Sequence, residues 1–299
     1  MGKFVGFIPE VTFDEKISRK VKLSSGLFLL PMSHPHVDTL TTLVGGLGYK
    51  LTGGIFLYYE GVLEADETPY EVFQGYCLAL TFFYKEGRAT CRAIKEIENE
   101  SDVELFIDED DQFGVNPDDK ILLQRNKLKV LERVYARIES QLATKDFNPL
   151  RNSVEFFILF LKENQIRTRL LYLSICLESI LLDGETNEVT YKLGLRCAKF
   201  LHKFDKTIDL KATLQEVKNG YILRSKIIHG DNYGKASSKM INGSSSKATG
   251  ELDHVLILEK IVKNAYHFIF LNKALYEVAL GKKLGEYIDQ KFILKSQKN

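Results

Sequence analysis

The sequence predicts an α+β protein, with a mixed, β-rich N-terminal domain over residues 1–115 followed by an all-helical domain over residues 116–299. Two patterns support this division. Alternating apolar segments between glycine-rich turns fill the first part, and the 3.6-residue apolar period of helices runs through the second. A hydrophobic content of 44% against 27% charged residues provides enough apolar side chains for a folded core.

Four segments of the N-terminal domain have the apolar alternation of strands, and a fifth, "PYEVFQGYCLALTFFYKEG", is compatible with a helix or with a pair of strands. The strand candidates are "KFVGFIPEVTF", "KVKLSSGLFLL", "GGIFLYYEGVLEA" and "DVELFIDED". The domain ends in an acidic segment, residues 96–119, whose last residues, "NPDD", have the polar side chains that begin helices.

Helices are predicted throughout the C-terminal domain, each bounded by turn or capping residues. They are expected at about 118–143, 149–163, 165–183, 187–203, 209–229, 251–280 and 285–294. The segment "GDNYGKASSKMINGSSSKATG", before the helix at 251–280, has the composition of a basic loop.

The chain lacks the sequence features of membrane and secreted proteins. No apolar run reaches the roughly 18–20 uninterrupted residues of a membrane span, and the first residues lack the basic and apolar regions of a signal peptide. The cysteines at 77, 91, 176 and 197 have neither CxxC nor Cys/His ligand spacing, and we expect them to be buried free thiols. These observations predict a cytoplasmic protein.

Charge is distributed unevenly along the chain, although the net charge is only +1. Residues 1–191 contain 21 Lys and Arg against 30 Asp and Glu, whereas residues 192–299 contain 20 against 10. A basic C-terminal half would attract a nucleic-acid backbone, because each phosphate contact releases counterions. Ordinary solvated helix faces would give the same count, so charge alone leaves both interpretations open.

Two arginines are followed by a histidine after four or five intervening residues: Arg224 by His229, and Arg196 by His202. Because such pairs occur by chance, at least one of them is expected to have no catalytic role. His229 stands at a predicted helix end before a glycine, where its imidazole is exposed, and Ser225 shares its face. Arg196 and His202 lie in mid-helix on divergent sides, so the first pair is the better candidate.

Three segments, "LSICLESILL", "YKLGLRCAKFLH" and "NGYILRSKIIHG", follow one another in the order found in the HEPN superfamily. The chain most closely resembles the ApeA-like HEPN branch, over about residues 150–280. In that branch a Leu-Glu, an Arg-x-Ala and a Tyr-x-x-Arg-Ser-Lys-x-x-His-Gly recur on successive helices. The matching site residues are Glu178, Arg196, Tyr221, Arg224, Ser225, Lys226 and His229.

The resemblance implies an HEPN-like helical bundle that forms a homodimer, in which two Arg–His motifs face each other across a cleft. It implies a metal-independent endoribonuclease without cofactors. The 2′-hydroxyl of the RNA attacks the neighbouring phosphate and leaves a cyclic phosphate and a free 5′-hydroxyl. Members of the superfamily often act as toxins or in antiviral defence.

The chemistry of the residues agrees with this expectation. Histidine has a pKa near neutrality and can move a proton on or off oxygen, which contributes typically about 10²–10⁴-fold in rate. The guanidinium of Arg224 stays protonated and can stabilise the phosphorane. A single motif contains only His229, whereas duplication across a two-fold axis supplies an acid and a base together.

Several further residues are assigned supporting roles. Lys226 and the basic loop are expected to hold flanking phosphates, and Ser225 to cap or orient its neighbours. Glu178, within an apolar helix, is predicted to pair with a basic residue such as Arg196 and to organise the bundle. Tyr221 is expected in the core.

Two alternatives remain. The first is a catalytically inactive HEPN module for RNA binding or protein assembly. The second is a metal-dependent hydrolase that uses His34 and His36, with Asp38 nearby, since on a strand both imidazoles would lie on one face. The N-terminal domain is expected to sense a trigger or select the substrate, and its acidic segment to screen the basic cleft.

Overall fold

The computed structural model confirms the α+β fold, with a mixed N-terminal region built on an antiparallel sheet and a helical C-terminal region. It describes residues 2–14, 17–23, 26–46, 51, 54–63, 68–98, 103–105, 120–144, 146–182, 184, 187–230, 250–281 and 283–293. Within these ranges, no helix combines the length and apolar character that crossing a bilayer requires.

The N-terminal region is organised around a six-stranded antiparallel sheet with strand order β3-β4-β5-β1-β6-β7. Its strands are β1 Gly2–Ile8, β3 Val21–Lys22, β4 Leu27–Leu30, β5 Ile55–Gly61, β6 Ala93–Glu96 and β7 Val103–Leu105. A separate two-stranded parallel sheet joins β2 Val11–Phe13 to β8 Ile121–Leu123. All four predicted strand segments therefore contain strands, and β6 and β8 were not predicted.

Two helices pack on opposite faces of the larger sheet. Helix α1, Pro35–Gly46, buries Val37 and Leu40 against Val5 and other side chains on one face. On the other face, at Gly6, a Cβ atom would lie 3.1 Å from the ring of Phe73. Phe73 belongs to α2, Pro69–Tyr84, which resolves the ambiguous fifth segment as a helix. Its first turn is closed by a capping box between Thr68 and Glu71.

The chain divides into two compact units, Met1–Glu139 and Ser140–Asn299, so the boundary lies later than the predicted position at residues 115/116. Two long-range contacts account for this: the ring of Tyr135 lies 5.7 Å from that of Tyr76 in α2, and a strand pairing involves residues 121–123. Residues 121–123, predicted to be helical, form β8 and pair with β2, which keeps them with the N-terminal region. A 3₁₀ turn at Arg125–Lys127 then leads into α3, Leu128–Ala143.

The C-terminal unit is a helical bundle whose helix boundaries lie within a few residues of the predicted ones. The helices are α4 Pro149–Lys162, α5 Ile166–Leu181, α6 Val189–Phe204, α7 Leu210–His229, α8 Glu251–Leu271, α9 Lys273–Leu280 and α10 Leu284–Ile288, followed by a π-helical turn at Asp289–Ile293. The predicted helix at 251–280 is two helices, because Asn272 ends α8 and caps α9 by accepting from the backbone N–H groups of Ala274 and Leu275.

Side-chain contacts define how the helices run. Helices α4 and α5 are antiparallel, since Asn152 donates to Ser179 and the next residue, Ser153, donates to the carbonyl of Cys176. Helices α7 and α8 run in the same direction: Glu216 faces His254, and one turn later Gly220 lies against Leu258. The C-terminal ends of α7 and α8 therefore lie at the same end of the bundle.

All four cysteines are buried and free, as predicted. Burial raises the pKa of Cys91, Cys176 and Cys197 to about 12 and that of Cys77 well above its ordinary range. Each thiol is therefore protonated at neutral pH and unreactive.

Candidate functional site

Helix α7 positions the candidate site, and local sequence signals set both of its ends. At the N-terminus, the carboxylate of Asp209 accepts from the backbone N–H of Ala212 at 2.7 Å. At the C-terminus, Gly230 adopts a left-handed conformation with φ of 66°, which a residue with a Cβ rarely adopts. The helix consequently stops at His229, and the imidazole of His229 is exposed.

Arg224 is held by a carboxylate of α5. Its Nε atom lies 2.8 Å from Oε1 of Glu178, and both side chains are mostly buried. The N–H does not point along the line to the oxygen, so the contact is an ion pair and not a directed hydrogen bond. The guanidinium also lies over the ring of Tyr221, with its carbon 5.4 Å from the ring centroid.

The environment of Glu178 determines its protonation. Burial raises the pKa of this carboxyl above its ordinary value of 4.5, and the positive charge of Arg224 opposes the rise. Desolvation is the larger of the two effects, which means that the ion pair compensates only part of the cost of placing a carboxylate inside the bundle.

The predicted pairing of Glu178 with Arg196 is wrong. Arg196 is buried and makes a two-point contact with Asp289: its Nε donates to Oδ1 at 3.0 Å and its Nη2 to Oδ2 at 2.6 Å. Its Nη1 donates to the carbonyl of Leu181 at 2.8 Å. Arg196 therefore links α6 to the C-terminal segment around Asp289. The basic partner of Glu178 is Arg224.

The second Arg–His pair has structural contacts at both members. Besides the contacts of Arg196, the Nδ1 atom of His202 lies 2.8 Å from the carbonyl oxygen of Ile208, in the turn that joins α6 to α7. Both side chains of this pair are therefore held by contacts within the chain.

The remaining candidates occupy different sides of α7. At 100° per residue, Arg224 and His229 are about 140° apart, so the arginine faces α5 while the histidine points outward. Ser225 is about 40° from His229 and shares its side. Ser225, Lys226 and Tyr221 are all partly buried. The prediction that Tyr221 lies in the core is therefore wrong.

The histidines of the N-terminal unit do not lie on a strand. His34 precedes α1 and His36 lies in its first turn, where the backbone N–H of His36 donates to Nδ1 of His34 at 3.3 Å. A neutral imidazole that accepts at Nδ1 carries its proton on Nε2 and cannot also coordinate a metal there. The rings are 4.9 Å apart, and His36 stacks on Tyr58.

Burial lowers the pKa of both imidazoles below 6.5, and the positive charge of Lys20 lowers both further. Asp38 lies on α1 and is exposed. Among the residues that the structure describes, no three His, Cys, Asp or Glu side chains come together in a group suited to a metal ion.

Two predicted features lie outside the described residues, wholly or in large part. The basic loop falls within residues 231–249, and the acidic segment within residues 99–102 and 106–119. Asp289, the partner of Arg196, was not predicted from the sequence, because no local signal joins residues 93 positions apart.

Comparisons with protein-family models, with curated proteins and with solved structures found no match to this chain. The function is therefore inferred from the residues and their geometry.

Proposed function

We propose that this protein is a metal-independent endoribonuclease of the HEPN type, which works in the cytoplasm as a homodimer and serves as a toxin or antiviral-defence effector. The observation that carries the proposal is the arrangement at the end of α7. Glu178 fixes the guanidinium of Arg224 in a mostly buried site, while His229 remains exposed five residues later. A fixed cation and an accessible imidazole are the two groups that RNA transesterification requires.

The proposed reaction forms a bond between the 2′-oxygen and phosphorus and breaks the bond between phosphorus and the 5′-oxygen. One imidazole accepts the proton of the 2′-hydroxyl, and a second donates a proton to the departing 5′-oxygen. The guanidinium of Arg224 stabilises the additional negative charge on the phosphorane. Ser225 and Lys226, beside His229 on the same helix, are assigned to orienting and phosphate-binding roles.

The need for a second copy follows from the position of the two side chains. Because Arg224 and His229 point about 140° apart around α7, one chain does not direct both at the same phosphate. A two-fold axis near the end of α7 would place the guanidinium of one chain beside the imidazole of the other and supply two histidines. In this proposal the N-terminal unit senses the trigger or selects the RNA.

The test is cleavage of total RNA by the purified protein in EDTA. Wild-type protein is expected to cleave and to leave 2′,3′-cyclic phosphate ends, and His229→Ala to lose the activity by at least about 10²-fold. His202→Ala is the matched control, because His202 belongs to the second Arg–His pair and its Nδ1 atom contacts the carbonyl of Ile208, in the turn between α6 and α7. Loss of activity in the control but not in His229→Ala would exclude the proposed site.

A second candidate function is a catalytically inactive HEPN module for RNA binding or protein assembly. The ion pair between Glu178 and Arg224 favours this candidate. Arg196 forms a similar ion pair with Asp289, and that contact holds the bundle together without a catalytic role. Absence of cleavage in EDTA, or cleavage unchanged by His229→Ala, would support this candidate.

A further inference from the structure

The outward side of α7 carries a row of basic residues that ends at His229. Lys211 and Lys218 are seven residues apart and His229 is eighteen residues after Lys211, so at 100° per residue all three lie within about 20° of one another around the helix. Lys226 is on the same side, about 60° from His229. We use "α7 row" for Lys211, Lys218 and His229.

The α7 row lies beside the contact with α6 and away from most of the buried side chains of α7. Lys211 and His229 are exposed and Lys218 is partly exposed, whereas the buried Glu216, Gly220 and Leu223 lie on the opposite half of the helix. Glu216 is the only acidic residue in Leu210–His229, and it is directed at His254 of α8. The acidic side chain of α7 therefore lies on the opposite side of the helix from the two lysines.

The lysines of the α7 row also lack acidic neighbours along the helix. The residues three and four positions from Lys211 and Lys218 are uncharged. Elsewhere in the bundle basic residues are paired at this spacing, as in Arg151–Glu155, Lys263–Glu259 and Lys273–Glu277. The two lysines of the α7 row therefore lack the acidic partners at three or four positions that these ion pairs have, and their charge is not offset along α7.

Close packing of α6 on α7 brings the stem of Lys218 to the surface between them. A Cβ atom on Gly194 of α6 would lie 3.0 Å from the Cγ atom of Lys218, so the absence of a side chain at this position gives the lysine stem its place. A buried stem leaves the ammonium group to extend into solvent. The hairpin of α6 and α7, residues 189–230, carries nine Lys and Arg against three Asp and Glu.

We propose that the α7 row binds the phosphate backbone of single-stranded RNA and leads the strand to His229. This inference rests on the proposed function for the role of His229 and adds the surface that holds the substrate. A single line of cations matches one phosphodiester backbone, whereas a duplex presents two. Lys211 lies about 27 Å from His229 along the helix axis, at 1.5 Å per residue. Only RNA much longer than a dinucleotide can reach both.

Binding is measured in the His229→Ala background, where cleavage does not interfere, with a single-stranded RNA of about 20 nucleotides. Replacing Lys211 and Lys218 together by Ala is expected to weaken binding about tenfold or more at low salt. It is also expected to reduce the slope of log K against log salt concentration by about 1.4, at about 0.7 per lost phosphate contact on a single strand. Lys211→Arg with Lys218→Arg should retain binding, which separates loss of charge from misfolding.

The control replaces two exposed lysines of the same unit, Lys260 and Lys273, by Ala, which changes the net charge equally. Lys260 is about 200° around α8 from Leu258, the residue that packs on α7. Binding is expected to stay within about twofold of the parent. Equal losses in both double variants would mean that only net charge matters and would overturn the inference, as would RNA binding too weak to detect or tighter binding of a duplex of the same sequence.

Cleavage separates this inference from the proposed function. With His229 intact, replacing Lys211 and Lys218 should lower kcat/KM for the long RNA and leave cleavage of a dinucleotide unchanged. If both substrates are cleaved as by the wild type, the α7 row is not the binding surface, and the nuclease proposal stands. If the wild type binds RNA through the two lysines but cleaves nothing, the binding surface stands, and the nuclease proposal fails.

Discussion

At the scale of single residues, the contact between Arg224 and Glu178 determines the chemistry available at the end of α7. The carboxylate offsets part of the cost of burying the guanidinium and holds it beside α5. An arginine fixed in this way can stabilise developing negative charge without reorganisation. A lysine at position 224 would lack the planar, delocalised cation that lies beside the carboxylate and over the ring of Tyr221.

We expect Arg224→Met to destabilise the protein in a pH-dependent way. Burial raises the pKa of Glu178 above 4.5 and Arg224 opposes this, so removing the arginine raises the pKa further. A carboxyl with a raised folded-state pKa contributes stability below its unfolded pKa and loses it as the pH rises through the folded value. The variant should therefore be about 1–3 kcal/mol less stable than wild type at pH 7 and nearly equal to it below pH 4.5.

Urea unfolding of both proteins at pH 4 and pH 7 measures this difference. Arg167→Met is the control, because Arg167 is an exposed arginine at the start of α5 whose contact with Glu251 is long, at 3.9 Å. It should change the free energy of unfolding by less than about 0.5 kcal/mol at either pH. If Arg224→Met lowers the free energy of unfolding equally at both pH values, the destabilisation does not come from a charge interaction with Glu178.

At the scale of secondary structure elements, the approach of α6 to α7 depends on Gly194. A Cβ at this position would lie 3.0 Å from the backbone oxygen of Leu214 as well as from the stem of Lys218. The backbone oxygen cannot rotate away as a side chain can. The two helices therefore approach each other here so closely that a Cβ atom at position 194 would be crowded by the backbone of α7.

Gly194→Ala is expected to lower the free energy of unfolding by about 1–3 kcal/mol, because the added methyl group separates the helices. The matched control is Gly45→Ala in α1, another helical glycine, where a Cβ would meet nothing within 4 Å. Alanine has the higher helix propensity, so the control should be neutral or more stable by up to about 1 kcal/mol. Thermal unfolding of both variants checks the prediction, and an unchanged Tm for Gly194→Ala would contradict it.

At the scale of the whole molecule, the proposed nuclease requires two copies, since each chain points Arg224 and His229 in different directions. Cleavage per chain should therefore rise with protein concentration and reach a plateau when the dimer predominates. Sedimentation at the same concentrations gives the fraction of dimer, and the two curves should coincide. Constant activity per chain at concentrations where the protein is monomeric would exclude a composite site.

Several elements were predictable from sequence because their signals are local. Asp209 and Gly230 cap α7, and Asn148 with Pro149 begins α4, where the asparagine accepts from the backbone N–H of Arg151 at 2.9 Å. In contrast, α1 was not predicted from the sequence, although Val37, Leu40 and Val44 have helical spacing. The β-branched and glycine residues around them weaken the pattern, and burial on the sheet stabilises the helix.

For the candidate site, the sequence by itself determined the type and spacing of its residues, the end of α7 at His229, the four unreactive thiols and the basic character of the C-terminal half. Only the tertiary structure decided which charges pair: Glu178 with Arg224, and Arg196 with Asp289. The physical reason is that caps and helical periods depend on residues within about one turn, whereas an ion pair depends on which helices the packing of the whole bundle brings together.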